Sequence, residues 1–353
     1  MSVRSAGAPC LTASLAIASF VLVALSSMVG PIACKTTSSE TPSTARTAES
    51  ASTSSATSAT QAEAPAPSAT AFQREDPPPY ELFSDDMLAG NYQTELKRAQ
   101  SIGHTSIVFK LTFADGKVAA FKPTSKRGGR RYRGEVAARR LGLALGIGRY
   151  LPQATPYHLP KAKLKAAGGG PLVDEELTDQ GLVYGAILPW IPDLTFPAME
   201  REPELSRWKK WLSGEVTPSP TEVGDAAAMS TMVLFDYMTG NFDRFSGGNV
   251  GRSKGQLLFI DNDGAFLDPM PKEPQERNGV RLHETKRFSK DFIARLKRFR
   301  KMDVVGLLGR DLGNQPLLTP ASGEGLVKRM SEVIAYADET IAKLGEDVAL
   351  PWP

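Results

Sequence analysis

The strongest constraint on this chain is an apolar helix that must open into a loop of acids. Ala226 to Thr239 reads as a buried helix, with Met229, Met232, Val233, Phe235, Asp236, Tyr237 and Met238 leading to Gly240, a residue able to end it. The next residues, Asn241-Phe242-Asp243-Arg244, therefore fall in a loop just past the helix terminus. Phe245 to Val250 reads as a turn, and Gln256 to Ile260 is a short apolar run ending in Asp261-Asn262-Asp263-Gly264. That run is expected to be a hairpin strand with Asp261 at its tip. Two carboxylates and an amide would then meet beside a strand end.

A phosphotransferase needs such a set. One Asp takes or orients the hydroxyl proton, and an Asn and a second Asp hold the divalent ions that neutralise the phosphates. In protein kinases the loop Asp leads the Asn by about five positions; here Asp243 leads Asn249 by six. Taken singly, Asn-Phe-Asp-Arg also fits a capped turn with a surface ion pair, and Asp-Asn-Asp-Gly an ordinary hairpin turn.

Upstream elements favour the chemical reading. Ile107, Phe109, Leu111 and Phe113 alternate, and Ala114-Asp115-Gly116-Lys117 turns the chain into Val118 to Lys122, so a hairpin is expected. Lys122 ends its second strand. Glu135 begins a helix in which Ala138, Leu141, Ala144 and Leu145 recur at helical spacing. A strand Lys followed by a helix Glu is the ion pair that positions nucleotide phosphates. The alternative is a surface Lys and a Glu stabilising a helix N-terminus.

Phe235 to Arg244, Phe259-Ile260-Asp261-Asn262, Phe121-Lys122-Pro123 and Gly134-Glu135-Val136-Ala137-Ala138 together resemble the Four-jointed and Golgi-casein-kinase group of secretory-pathway kinases. The similarity runs from about Gly103 to Phe266. It implies an α+β, bilobal protein-kinase-like fold, with a β-rich N-lobe over 73–190 and an α-rich C-lobe over 191–353. By the resemblance Asp243 is the catalytic Asp, Asn249 and Asp261 are the metal ligands, and Lys122 and Glu135 form the phosphate-binding pair. The stretch around Gly103 lies where a kinase keeps its phosphate-covering loop. The implied cofactors are ATP and Mg²⁺ or Mn²⁺, and the implied acceptor is a hydroxyl of a protein or glycan.

Gly181 to Leu188 reads as an apolar strand stopped by Pro189-Trp190-Ile191-Pro192, where the hinge between lobes is expected. Leu205 to Leu212, Ser289 to Phe299, Met302 to Leu312 and Gly323 to Leu344 read as helices of the second lobe. Lys126 to Arg133 reads as a solvated basic loop or a cationic backbone near phosphate. His104 has no histidine partner at metal-binding spacing.

The N-terminus reads as an export signal over 1–33: Arg4, an uncharged run from Leu11 to Met28, then Ala33-Cys34. A lipoprotein signal of the bacterial type, with Cys34 lipidated, is expected ahead of an uncleaved anchor or simple secretion. The location implied is outside the cytoplasm, on a membrane, at the periplasm or cell surface. Residues 34–72 are Ser, Thr, Ala and Pro without an aromatic until Phe72, a composition expected to form a disordered linker spanning roughly 30 Å. Both cysteines, Cys10 and Cys34, precede the folded part, which must rest on its hydrophobic core. A net charge of +3 is too small to argue for a nucleic-acid partner. Because ATP is scarce outside a cytoplasmic membrane, a catalytically silent, pseudokinase-like binding lipoprotein is the second reading.

Overall fold

The computed structural model describes residues 90–103 and 106–353. The expected signal, the anchor alternative, the lipidated Cys34, the whole linker over 34–72, the start of the expected N-lobe over 73–89 and His104 lie outside the described residues. Among those described, no helix is long and apolar enough to cross a membrane.

The first part of the fold is a five-stranded antiparallel sheet in the order β1-β2-β3-β5-β4: β1 Leu96–Ser101, β2 Phe109–Phe113, β3 Val118–Pro123, β4 Thr155–Pro160 and β5 Leu182–Pro189. The expected hairpin is β2–β3, turning at Gly116 with φ 81°. Its alternation does what period-2 patterning requires: Phe109, Leu111 and Phe113 are buried on one face, against Phe121, Val183 and Ile187. On β5, Ala186 and Leu188 point the other way, into the core of the helical half. The helix Tyr132–Ala144 joins that same core through Val136, Ala137 and Leu141.

The helical part is organised around Val223–Thr239, which buries residues on every side, including Met229, Met232, Phe235 and Met238. Being apolar all round, it can only be a central helix. Gly240 ends it in the left-handed conformation at φ 65°. Against it pack Glu204–Ser213 and Lys272–Glu284, and Lys290–Phe299 packs on Pro320–Leu344, which in turn packs on the central helix. Ser289 caps the third of these through Phe292 N, and Thr319 caps the fourth through Ser322 N. The α+β class, with a sheet-rich N-terminal part and a helical C-terminal part, is as expected.

Three local expectations are corrected, and three elements are found that the sequence pattern did not announce. The hairpin of β6 (Val250–Ser253) and β7 (Gln256–Phe259) turns at Lys254-Gly255, whose φ values of 49° and 80° suit a two-residue primed turn. Asp261 is therefore at the open end of the hairpin, not its tip. The helix expected over 302–312 spans only Val304–Leu308, stopped by Gly309, and the residues beyond it form a loop. The helix expected from Gly323 starts at Pro320, because Thr319 supplies the cap. Finally, β1, β4 and Lys272–Glu284 carry no periodic apolar signal. In Lys272–Glu284 only Asn278 and Leu282 are buried.

Candidate active site

Lys122, on β3, projects between the sheet and the helical half, where only about a tenth of its side chain is exposed. Its ammonium pairs with Glu135 Oε1 and lies 2.6 Å from Asp261 Oδ1 and 3.7 Å from Asp263 Oδ2. Burial alone would lower the Lys122 pKa, but the charges of Glu135, Asp261 and Asp263 outweigh it and hold the pKa well above the usual lysine value. Lys122 is thus a cation at neutral pH.

The carboxylates divide in character. Burial pushes Asp261 up, but the Lys122 charge and hydrogen bond prevail and leave it lowered. Asp263 is pushed up to about 6 by burial, opposed by Lys122 and reinforced by the charges of Asp261 and Glu135. At neutral pH, Asp261 is ionised. A third of its side chain is exposed, whereas those of Glu135 and Asp263 are enclosed.

Asp261 sits in the left-handed region at φ 55° and ψ 63°, a conformation that Asp tolerates better than most residues and that is worth about 1–3 kcal/mol of strain. The short turn Asn262–Gly264 follows it. Asn262 N donates to Glu135 Oε1 at 2.9 Å, tying this turn to the helix that carries Glu135. Gly134 and Gly264 make the approach possible. A Cβ on Gly134 would lie 2.8 Å from Asn262 O, and one on Gly264 would meet Asn241, Phe242 and Asp243 at 3.2 Å.

The loop with Asp243 is built around Arg244, which is almost wholly buried. Its guanidinium grips Asp236 with two bonds of 3.0 and 3.1 Å, and also donates to Asn249 O at 2.8 Å, to Asn262 Oδ1 at 2.6 Å and to Ile260 O. One side chain thereby joins the central helix, the acid loop and both ends of the β6–β7 hairpin. Asp243 N donates to Asn241 Oδ1 at 3.1 Å, and Asn249 Nδ2 donates to Asp243 O at 2.8 Å. Asn278, from Lys272–Glu284, supports the loop from behind by donating to Asn241 O at 2.9 Å.

With this geometry in place, the molecule can be compared with known structures. Neither a protein-family profile nor a curated protein matches the chain. Among solved structures it is similar to the Golgi casein kinase, at TM-score 0.58 and 16% identity over 75% of this chain and 78% of that one. The same values hold for the Golgi casein kinase with Mn and ADP bound. The structure of hydra Fam20 with sugar matches at TM-score 0.54 and 15% identity, covering 75% of this chain and 90% of that one. The chain has an atypical kinase fold. Within it, Lys122, Glu135 and Asp261 converge on one charged cluster, Asn249 contacts Asp243, and Gly264 packs the Asp261 turn against the Asp243 loop.

Gly103 lies in the β1–β2 connection, close against Ser106 O and Val108 N. Trp190 follows β5, part-exposed, with Lys110 Nζ 4.0 Å from its ring. The basic run does not simply face solvent: Arg131 bonds Asp263, Arg133 bonds Asp311 and Arg127 bonds Glu176. The motif reading left Asp236, Asn278, Arg131 and Asp311 without a role. For Asp236 a signal existed, since a lone acid in an apolar helix needs a buried partner.

Proposed function

We propose that this protein transfers the γ-phosphate of ATP to a hydroxyl of a protein Ser/Thr or a glycan. The observation that carries this reading is Lys122 held between Glu135 and Asp261, with Asp243 and Asn249 in contact on the adjoining loop. Likeness to the Golgi casein kinase with Mn and ADP bound supports a nucleotide with Mn²⁺ as cofactors, and Mg²⁺ is the alternative cation. The donor set suits a hard cation. Asp261 is ionised, and Asn249 uses its amide nitrogen on Asp243, leaving its side-chain oxygen to offer. Among the described residues no three acidic, histidine or cysteine side chains form a metal cage, and a kinase-type ion takes the rest of its shell from phosphates and water.

Bound there, the cation supplies charge neutralisation on the phosphates. Lys122 fixes the α- and β-phosphates, Glu135 fixes Lys122, and Asp243 accepts or orients the proton of the acceptor hydroxyl. The lobes are taken as 73–190 and 191–353, with Gly103 in the phosphate-covering loop. Catalysis then rests on positioning and electrostatics more than on covalent chemistry. The test is transfer from γ-labelled ATP, with Mn²⁺ or Mg²⁺, to a panel of protein and glycan acceptors. Metal-dependent labelling supports the proposal; nucleotide binding without labelling anywhere on the panel returns it to a pseudokinase-like binding protein.

Asp261→Asn is expected to lose the metal-dependent part of nucleotide stabilisation while the ligand-free unfolding midpoint stays within a few degrees. Thermal unfolding with ATP, with and without metal, measures it. An undiminished metal increment would move the site to Asp263.

We also propose that 1–33 is a lipoprotein signal, that Cys34 carries the lipid, and that 34–72 tethers an exported domain to a membrane. Mass spectrometry of the mature chain is expected to find a lipidated N-terminal Cys34; an intact Met1 would contradict it.

A further inference from the structure

The helix Tyr132–Ala144 is poorly suited to hold itself in place. Its N-cap, Arg131, makes no side-chain capping bond. Its entry carries Arg130, Arg131 and Arg133, where the helix dipole disfavours cations. Its position must come from partners in the rest of the fold. Arg131 has one, in the metal-side turn: Asp263 Oδ1 at 2.7 Å.

A second partner comes from elsewhere in the chain. Asp311 lies in the loop after Val304–Leu308, 178 residues beyond Arg133, and is largely buried. Its Oδ1 accepts from Gly313 N and Gln315 N, both at 3.0 Å, so this oxygen folds its own loop. Its Oδ2 accepts from Arg133 Nε at 2.9 Å and Tyr132 OH at 3.1 Å, and Arg133 Nη2 lies 2.6 Å away. Arg140, seven residues after Arg133 and so on the same helix face, donates to Leu308 O at 2.6 Å and Arg310 O at 3.2 Å. The loop thus holds the helix at two points two turns apart. On another face, Glu135 meets Lys122 and Asn262.

We propose that Asp311 is a positioning residue: it clamps the Glu135 helix to the helical half and so holds Lys122 and Glu135 in their paired state before any ligand arrives. This rests on the phosphotransferase reading for its consequence, although the clamp itself can be observed without nucleotide. Among the described residues the Asp311 carboxylate bonds Tyr132, Arg133 and its own loop, and not Lys122 or the Asp261 turn, so it acts through the helix. The Arg131–Asp263 contact differs, because it belongs to the turn that carries Asp261.

The test uses the full chain and the variant Asp311→Asn, which keeps the side-chain size and can keep the Oδ1 bonds within its loop. Hydrogen exchange of the ligand-free protein is expected to speed about tenfold across 132–140 while the β2–β3 hairpin is unchanged, the factor for loss of one charge-assisted hydrogen bond. ATP–Mn²⁺ affinity is expected to fall by a similar factor. In a Glu135→Gln background, Asp311→Asn should cost no further affinity, because the group through which it acts is already gone. Arg133→Gln should reproduce the effect of Asp311→Asn, and the pair should be no worse than either alone. Unchanged exchange in the helix would overturn the clamp, as would an equal affinity loss in the parent and Glu135→Gln backgrounds. Faster helix exchange in Asp311→Asn, found beside a parent that binds no nucleotide, would uphold the clamp and count only against the phosphotransferase reading.

Discussion

Asp243→Asn is expected to bind metal–ATP nearly as tightly as the parent and to transfer phosphate more slowly by a factor of roughly 10² to 10⁴, the usual effect of removing a positioned base. The reason is spatial. Asp243 lies on the loop after Gly240, held through its backbone by Asn241 and Asn249, while Lys122, Glu135 and Asp261 form the cluster assigned to the phosphates. Asn is close to isosteric and can still receive the Asn249 amide bond at the main chain, so loop geometry should survive. What is lost is the carboxylate assigned to the acceptor hydroxyl. Single-turnover transfer from labelled ATP, set beside calorimetric nucleotide affinity, separates the two steps. An equal loss of affinity and rate would mean that Asp243 serves binding.

Arg244→Ala is expected to destabilise the fold by about 3 to 5 kcal/mol, the cost of breaking a buried ion pair from one side. The variant leaves Asp236 charged inside the apolar helix Val223–Thr239 and frees the acceptors on Asn249, Ile260 and Asn262. Burial already pushes the Asp236 carboxyl above its ordinary value, against the pull of Arg244. Without Arg244 it rises further. A carboxyl whose folded-state pKa is raised is destabilising once pH exceeds its unfolded value, so the gap between parent and variant should narrow as pH falls toward 4. Asp236→Asn added to Arg244→Ala should recover part of the loss at neutral pH. Urea unfolding of the two single variants and the double at two pH values measures this, and additive losses would show that the pair is not coupled.

Much of the site was legible because its residues sit where periodic elements stop. The alternation of β2 and the turn at Gly116 put Lys122 at the end of β3, and the apolar helix ended by Gly240 put Asp243 in a loop. The role of Arg244 as the holder of that loop was also readable, since an Arg beside a motif of acids needs a carboxylate partner. Other features carried no local signal. Lys272–Glu284 is charged along nearly its whole length and is helical because of what it packs against, so Asn278 could not be placed beneath Asn241. Lys254-Gly255 was hidden because the apolar run begins only after it, and this put Asp261 at the wrong end of its hairpin. Asp311 was least visible: its link to Arg133 joins a loop to the first turn of a helix far away in sequence, and a hydrogen bond of that kind leaves no periodicity.

The central claim is that the cluster of Lys122, Glu135 and Asp261 binds a nucleotide through a divalent cation. Its most direct test is thermal unfolding of the full chain with ATP and Mn²⁺ or Mg²⁺, against ATP with chelator. Ligand at one hundred times its dissociation constant should stabilise the protein by about 2.7 kcal/mol. The account predicts that this stabilisation appears with metal, is lost with chelator and is lost in Lys122→Met. Stabilisation that persists in Lys122→Met, or no stabilisation with either metal at millimolar ATP, would contradict it.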